Sequence, residues 1–355
     1  MSKDLFENPM GTDGFEFVEY AHPKPEELRK LFKTMGFKHV ATHKSKDVTL
    51  HRQGDINFII NAESNSFAQK FAAGHGPCVC AMAFRVKDAA KALENARTHG
   101  VTVLENPIGH GELEIPVIEG IGGSRLYFVD TYGQDTIYKH DFDFVEGGHD
   151  PVQGNGLTYI DHLTHNVFRG NMNKWSGFYE DLFNFREIRY FDIEGKLTGL
   201  LSRAMTSPCG KIRIPINESQ DDKSQIEEYL KEYKGEGIQH IALGTNDIYA
   251  TVDDLSKDGV AFQTTPDTYF EKIDARLEGH GENVTELHKR NILIDGAPTE
   301  GQGILLQIFT QEVIGPIFFE IIQRKGNEGF GEGNFQALFE SLEEDQVRRG
   351  VLDAN

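Results

Sequence analysis

Apolar and polar positions alternate in short runs along this chain, and the runs recur in a fixed order. From Cys80 the sequence reads CAMAFRVKDAAKALENARTHGVTV; from Gln239 it reads QHIALGTNDIYATVDDLSKDGVAF. Each begins with an apolar run of strand character, passes an Asp into a stretch of helical spacing, then a Gly and a second strand. Asp88 lies 12 residues before Gly100, and Asp247 lies 12 residues before Gly259. The Asp suits a helix N-cap, where its carboxylate accepts from unpaired backbone N–H groups. The Gly suits the position past a helix end, where the chain often turns left-handed. The copies are offset by 159 residues.

The match extends outward. QGDINFIIN (Gln53 to Asn61) aligns with CGKIRIPIN (Cys209 to Asn217) at an offset of 156. FKTMGF (Phe32 to Phe37) resembles YEDLFNF (Tyr179 to Phe185), and GSRLYFVD (Gly123 to Asp130) resembles IGPIFFEI (Ile314 to Ile321). Four blocks in one order predict a duplicated α+β module with mostly antiparallel sheet. The boundary falls near HDPVQGNG (His149 to Gly156), giving domains 1–150 and 151–355.

Composition narrows the function without naming it. The chain has 355 residues, 38% of them hydrophobic, with 25 Phe and 11 Tyr, which is enough to build substantial cores. The net charge of −20 and the lack of a dense Lys/Arg run argue against a nucleic-acid partner and against anionic membranes. No apolar stretch reaches the ~18 residues of a bilayer span. The opening MSKDLFENPMGTDGF lacks a signal-peptide pattern. Three cysteines, with Cys78 and Cys80 expected on opposite faces of a strand, make a disulfide framework or cysteine zinc site unexpected. A cytoplasmic location is the expectation.

The repeat then filters the 14 histidines. Polar residues on apolar strands of one copy that are apolar in the other deserve a functional explanation. His162 in IDHLTHNV stands roughly where Phe17 does; His240 aligns with Ala81, and Glu320 with Val129. An ionised Glu in an apolar strand is costly unless paired or bound to a metal. The spacings are 78 and 80 residues, so the three come from separate strands and can converge if those strands share a curved sheet. Two imidazoles and a carboxylate suit a non-haem Fe(II) site with open positions. They also suit catalytic zinc, so the ligand set leaves the metal open. His165, three residues after His162, competes as a ligand but falls on the opposite strand face.

With these residues in view, the chain resembles 4-hydroxyphenylpyruvate dioxygenases of the vicinal oxygen chelate superfamily. The resemblance covers nearly the whole chain. It rests on DHLTHNV around His162, GEGIQHIA around His240, LLQIF around Gln307, FFEIIQRKG around Glu320, and GFGEGNFQALFES from Gly329. NPMGTDGFEF near the start resembles bacterial members. The resemblance implies two tandem vicinal-oxygen-chelate domains, each of paired βαβββ modules in a curved, barrel-like mixed sheet, plus a C-terminal helix. It implies a metal-free structural N-terminal domain and a catalytic C-terminal one. One Fe(II) per subunit would be held by His162, His240 and Glu320. The implied reaction takes 4-hydroxyphenylpyruvate and O₂ to homogentisate and CO₂, in tyrosine and phenylalanine catabolism. A homotetramer, or else a homodimer, is implied.

Pocket residues follow from the same resemblance. Gln225, Gln239, Gln307, Asn217 and Ser202 offer polar groups for catalysis. Gln239 adjoins His240, so regular alternation would turn it away from the metal face. Phe309, Phe318, Phe330 and Phe335 would line a dry aromatic slot, with Asn334 beside its mouth. The spacing of Phe335, Leu338, Phe339 and Leu342 is helical, and glycines 326, 329, 331 and 333 would let that helix swing as a lid.

Three rivals remain at this level. A 4-hydroxymandelate synthase would act on the same substrate, but members of that group carry a smaller aliphatic residue where this chain has Phe309. An extradiol catechol dioxygenase would need an acid–base His or Tyr in the pocket. A ligand-binding protein of the same fold would have no use for the three metal ligands.

Overall fold

The computed structural model describes residues 4–194 and 199–348. Among these residues each repeat contributes one eight-stranded mixed sheet. The first contains β1 (Phe15–Ala21), β2 (Lys38–His43), β3 (Val48–Gln53), β4 (Ile56–Asn61), β5 (Cys78–Arg85), β6 (Val117–Glu119), β7 (Arg125–Val129) and β8 (Phe142–Phe144), ordered β6-β7-β5-β1-β4-β3-β2-β8. The second contains β9 (Leu157–Val167), β10 (Arg186–Glu194), β11 (Gly199–Thr206), β12 (Arg213–Ser219), β13 (Gly237–Thr245), β14 (Leu293–Gly296), β15 (Ile304–Phe309) and β16 (Phe318–Lys325), ordered β10-β11-β12-β9-β13-β16-β15-β14. Read from its other end, the second sheet repeats the first. β9 and β13 pair antiparallel at its centre as β1 and β5 do, and parallel pairs flank them in both. Only β8 and β14 break the correspondence, at opposite ends. This is the expected tandem α+β architecture.

The predicted helix signals are in place. Asp88 caps the helix Ala89–Thr98 by accepting from the Lys91 N–H, and Asp247 caps Ile248–Asp258 by accepting from the Ala250 N–H. Gly259 ends the second helix with φ +99°. Residues 149–156 are turns and irregular chain between the two sheets.

Two β-bulges recur at matching positions. The β1–β5 ladder skips Glu16 and Cys80; the β9–β13 ladder skips Asp161 and Gln239. A bulge places two residues opposite one and re-aims the extra side chain. The ladders also correct one alignment. Ala81 pairs with Arg125 and His240 with Phe318, so Glu320 corresponds to Tyr127, two residues from the expected Val129. An ungapped comparison of β7 with β16 misses this shift because the run Leu126–Val129 finds mostly apolar partners around Phe318–Ile322 in either register.

One apolar core joins the halves. Phe84 meets Phe183 edge-on at 5.4 Å, and Phe58 stacks on Phe319 at 6.0 Å. Cys78 and Cys80 both enter this core, and their thiols donate to the carbonyls of Ala21 and Glu19. They do not face opposite sides as expected, because strand residues two apart share a face. All three cysteines are free thiols. A second, separate cluster fills the other face of the first sheet: Phe17, Ala81, Ala83, Tyr127 and Val129 belong to it. Among the described residues no helix is long and apolar enough to cross a membrane.

Candidate metal centre

On the corresponding face of the second sheet, His162, His240 and Glu320 converge. His162 sits on β9, His240 on β13 and Glu320 on β16, three adjacent strands. The ladders set Ala242 opposite both His162 and Glu320, so the two ligand strands flank β13 symmetrically. The His162 and His240 Nε2 atoms are 3.3 Å apart, and Glu320 Oε2 lies 3.2 Å from the first and 3.3 Å from the second. All three residues are buried.

The far side of each imidazole decides what the near side offers. His162 Nδ1 lies 2.8 Å from Asp161 Oδ1, and His240 Nδ1 lies 3.0 Å from Gln239 Oε1. Both partners are acceptors, so each Nδ1 carries a proton and donates it. Both Nε2 lone pairs of the neutral rings then face a carboxylate oxygen across a gap of little more than 3 Å. Such a triangle is repulsive unless a cation lies within it. Donors each ~2.1 Å from one ion and about 90° apart stand ~3 Å from one another, so the spacing fits one metal bound on one face. Without metal, a proton takes that place. Burial alone would lower the His162 pKa, but the Glu320 and Asp161 carboxylates hold it above the usual value. Burial dominates at His240, which is lowered. Glu320 is held down at about 2, because the two imidazoles outweigh its burial.

Support for Glu320 runs to the C-terminal helix (Glu332–Arg348). The Gln307 amide donates to Glu320 Oε1 at 3.1 Å and accepts from Asn334 Nδ2 at 2.7 Å. Asn334 Oδ1 in turn accepts from the Tyr269 hydroxyl at 2.6 Å. The helix start lies hard against this network. A Cβ at Gly331 would fall 1.7 Å from Gln307 Oε1, and one at Gly333 2.3 Å from Asp295 Oδ1. These two glycines are therefore needed for close approach, and the freedom to swing expected of them is not their visible role. The helix is docked over the site.

The aromatic slot is assembled in part. Phe318 stacks on the His240 ring at 5.1 Å, and Phe309 meets Phe318 edge-on at 5.9 Å. Phe330 meets His162 edge-on at 5.3 Å. Ser202 and Asn217 pair across β11 and β12, and Asn217 reaches Asn166 of β9 at 3.4 Å, forming a polar row on the sheet. At the bulge the Gln239 amide holds the far side of the His240 ring, away from the other ligands, a supporting hydrogen bond and not a contact inside the triangle. Two expected residues are elsewhere. Gln225 is exposed at the first position of the helix Gln225–Tyr233. Phe335 is 38% exposed, because the helix buries Asn334, Ala337 and Ser341 instead. The side chains of Phe339 and Leu342 lie outside the described residues, as does the chain beyond residue 348. His165 is buried on the opposite face, as expected, with burial pushing its pKa down to about 4.

Sequence reasoning missed Asp161, Arg324 and Asn166. Asp161 is fully buried and accepts two hydrogen bonds from Arg324, at 2.7 and 2.8 Å, besides the one from His162. The filter sought positions polar in one repeat and apolar in the other. Asp161 corresponds to Glu16, acidic in both, and so passed unseen. Asn166, four residues after His162, is buried with its Nδ2 unpartnered.

Comparison with known proteins agrees with this architecture. Residues 6–143 match a family model described as hydroxyphenylpyruvate dioxygenase, N-terminal. Residues 159–287 match that of the glyoxalase/bleomycin resistance protein/dioxygenase superfamily. The chain is 64% identical to hemolysin VllY of Vibrio vulnificus, over 98% of each chain. It is 63% identical to a 4-hydroxyphenylpyruvate dioxygenase of Pseudomonas aeruginosa, over 97% of each. A solved xylose isomerase-like TIM barrel/4-hydroxyphenylpyruvate dioxygenase fusion protein superposes with a TM-score of 0.79 at 33% identity, covering 96% of this chain and 54% of that one. On fold, metal-ligand geometry and full-length identity, the chain belongs to the 4-hydroxyphenylpyruvate dioxygenase family of the vicinal oxygen chelate superfamily.

Proposed function

We propose that this chain is an Fe(II)-dependent dioxygenase converting 4-hydroxyphenylpyruvate and O₂ to homogentisate and CO₂, a step in tyrosine and phenylalanine catabolism. The observation that carries the reading is the buried triangle of His162, His240 and Glu320 in a chain 63% identical to an enzyme of that name. The equation balances with no second reductant: C₉H₈O₄ plus O₂ gives C₈H₈O₄ plus CO₂, both oxygen atoms entering products. When bound, the metal supplies open positions for the 2-oxo acid of the substrate and for O₂.

The chain's own residues do the rest. His162, His240 and Glu320 hold the ion from one side. Phe309, Phe318 and Phe330 form the apolar walls for the aromatic ring and keep water out. Gln307 and Asn334 orient the polar head beside Glu320, and Ser202 with Asn217 supplies hydrogen-bonding groups for the phenol end. Gln239 fixes the tautomer of His240. The exposed Gln225 has no part in this arrangement. The docked helix closes the mouth. The substrate is a small molecule; a homotetramer, or a homodimer, in the cytoplasm completes the proposal.

The test is reconstitution of metal-free protein with Fe(II) or Zn(II), followed by O₂ uptake and chromatography of the product. Fe(II) should give homogentisate with one CO₂ per O₂ consumed, and Zn(II) should give none. Hydroxymandelate as product, or no O₂ uptake with Fe(II), would overturn the reading.

A further inference from the structure

Arg324, at the end of β16, is placed where two systems meet. Its Nε and Nη2 grip the Asp161 carboxylate at 2.7 and 2.8 Å, and Asp161 accepts from His162 Nδ1. Its Nη1 donates to the carbonyls of Asn327 at 3.0 Å and Gly329 at 2.7 Å, in the turn that leads into the C-terminal helix. The guanidinium centre lies 5.7 Å from the Phe330 ring, which itself meets His162 edge-on. The guanidinium is planar, so the directions of its donors are locked together. Turning it to follow the turn would take it off Asp161, and Asp161 sets the orientation of His162.

We propose that Arg324 is a positioning residue that couples docking of the C-terminal helix to metal binding: the docked turn Asn327–Phe330 and a correctly oriented His162 favour each other through its guanidinium, beside which Arg213 lies 3.6 Å from Asp161 Oδ2 and reaches Glu328 of the same turn at 2.5 Å. The proposal rests on the reading of this site as a metal centre. It adds that metal and helix closure are linked equilibria, so each must strengthen the other by the same factor. A simple structural ion pair would tie β9 to β16 and leave helix closure indifferent to metal.

Hydrogen–deuterium exchange on the full chain, with and without Co(II) as a non-turning-over probe, decides the matter. In the unaltered protein Co(II) should slow exchange across residues 329–341 by about tenfold. Arg324→Lys keeps the charge but loses the fork. It should weaken Co(II) about 10- to 100-fold in competition with a chelator, shift the visible Co(II) bands, and abolish the metal-induced slowing. The idea is overturned if Co(II) leaves exchange at 329–341 unchanged in the unaltered protein, a result that needs no variant to fold. It is equally overturned if Arg324→Lys is folded and keeps both affinity and slowing. Homogentisate formation by the Fe(II) protein is assayed separately, so loss of the proposed reaction and loss of this coupling give different results.

Discussion

The two sheets start from one plan and finish differently. Both have the same central strand order, the same pair of bulges and the same Asp-capped helix after the central strand. Where the second sheet carries His162, His240 and Glu320, the first carries Phe17, Ala81 and Tyr127, and the rings of Phe17 and Tyr127 pack at 5.7 Å. The bulged acid survives in both. Glu16 pairs with Arg85 at 2.5 Å, yet burial leaves its pKa raised. Asp161 is also buried, but the hydrogen bonds from Arg324 and His162 hold it well below the usual range. The fold thus provides a converging set of strand positions, and side-chain chemistry decides whether they become core or site.

The sharpest break in this comparison is substitution at the equivalent positions. Glu320→Ala or His162→Ala should abolish stoichiometric metal and reduce turnover by a thousandfold or more, read by metal analysis and O₂ uptake. Phe17→Ala should leave metal content intact and cost about 3–5 kcal/mol in denaturant unfolding, the expense of a cavity. If Phe17→Ala lowered metal content as much as His162→Ala, the division of labour would be wrong.

Metal removal gives the next effect. At a hundred times its dissociation constant a metal adds about 2.7 kcal/mol of stability. Adding chelator should remove this, and the lost amide protection should map to β9, β13 and β16 while β1, β5 and β7 stay protected.

Gln307→Leu sharpens the same contrast inside the second sheet. It removes the donor to Glu320 Oε1 and the acceptor of Asn334 Nδ2, at a cost of about 1–3 kcal/mol. Turnover should fall further than metal affinity, which a kcat measurement at saturating Fe(II) separates.

The smallest effect concerns pH. Burial pushes His51 in the first sheet down to about 3 and His165 in the second down to about 4. The folded state keeps both rings neutral while the unfolded chain protonates them near 6.5. Their contribution to stability is therefore complete above that pH and lost as pH falls toward 4 and 3. His51→Gln and His165→Gln should each flatten the fall in Tm between pH 7 and pH 6, by an amount worth up to about 1 kcal/mol at pH 6. Unchanged slopes would show that these rings titrate normally.

The duplication, the helix caps and the three metal ligands were legible because each leaves a local mark: a periodicity, a cap residue, a polar group on an apolar strand. Asp161 left none, being acidic in both copies. Gln239 and Phe335 were placed in the pocket by resemblance alone; a bulge sets Gln239 against the His240 ring, and the helix leaves Phe335 exposed while burying Asn334, Ala337 and Ser341. Arg324 looked like one of many charged residues at a strand end.

The order of apolar and polar residues by itself determined that the chain folds as two related α+β halves and that the second carries His162, His240 and Glu320 on otherwise apolar strands. Tertiary structure alone decided which nitrogen of each histidine faces the ion and which glycines the closing helix needs. It also decided that Arg324 touches both the turn before that helix and Asp161, the partner of a ligand. Periodicity specifies which face a residue takes, whereas ladder register and the packing of distant segments specify what it meets there.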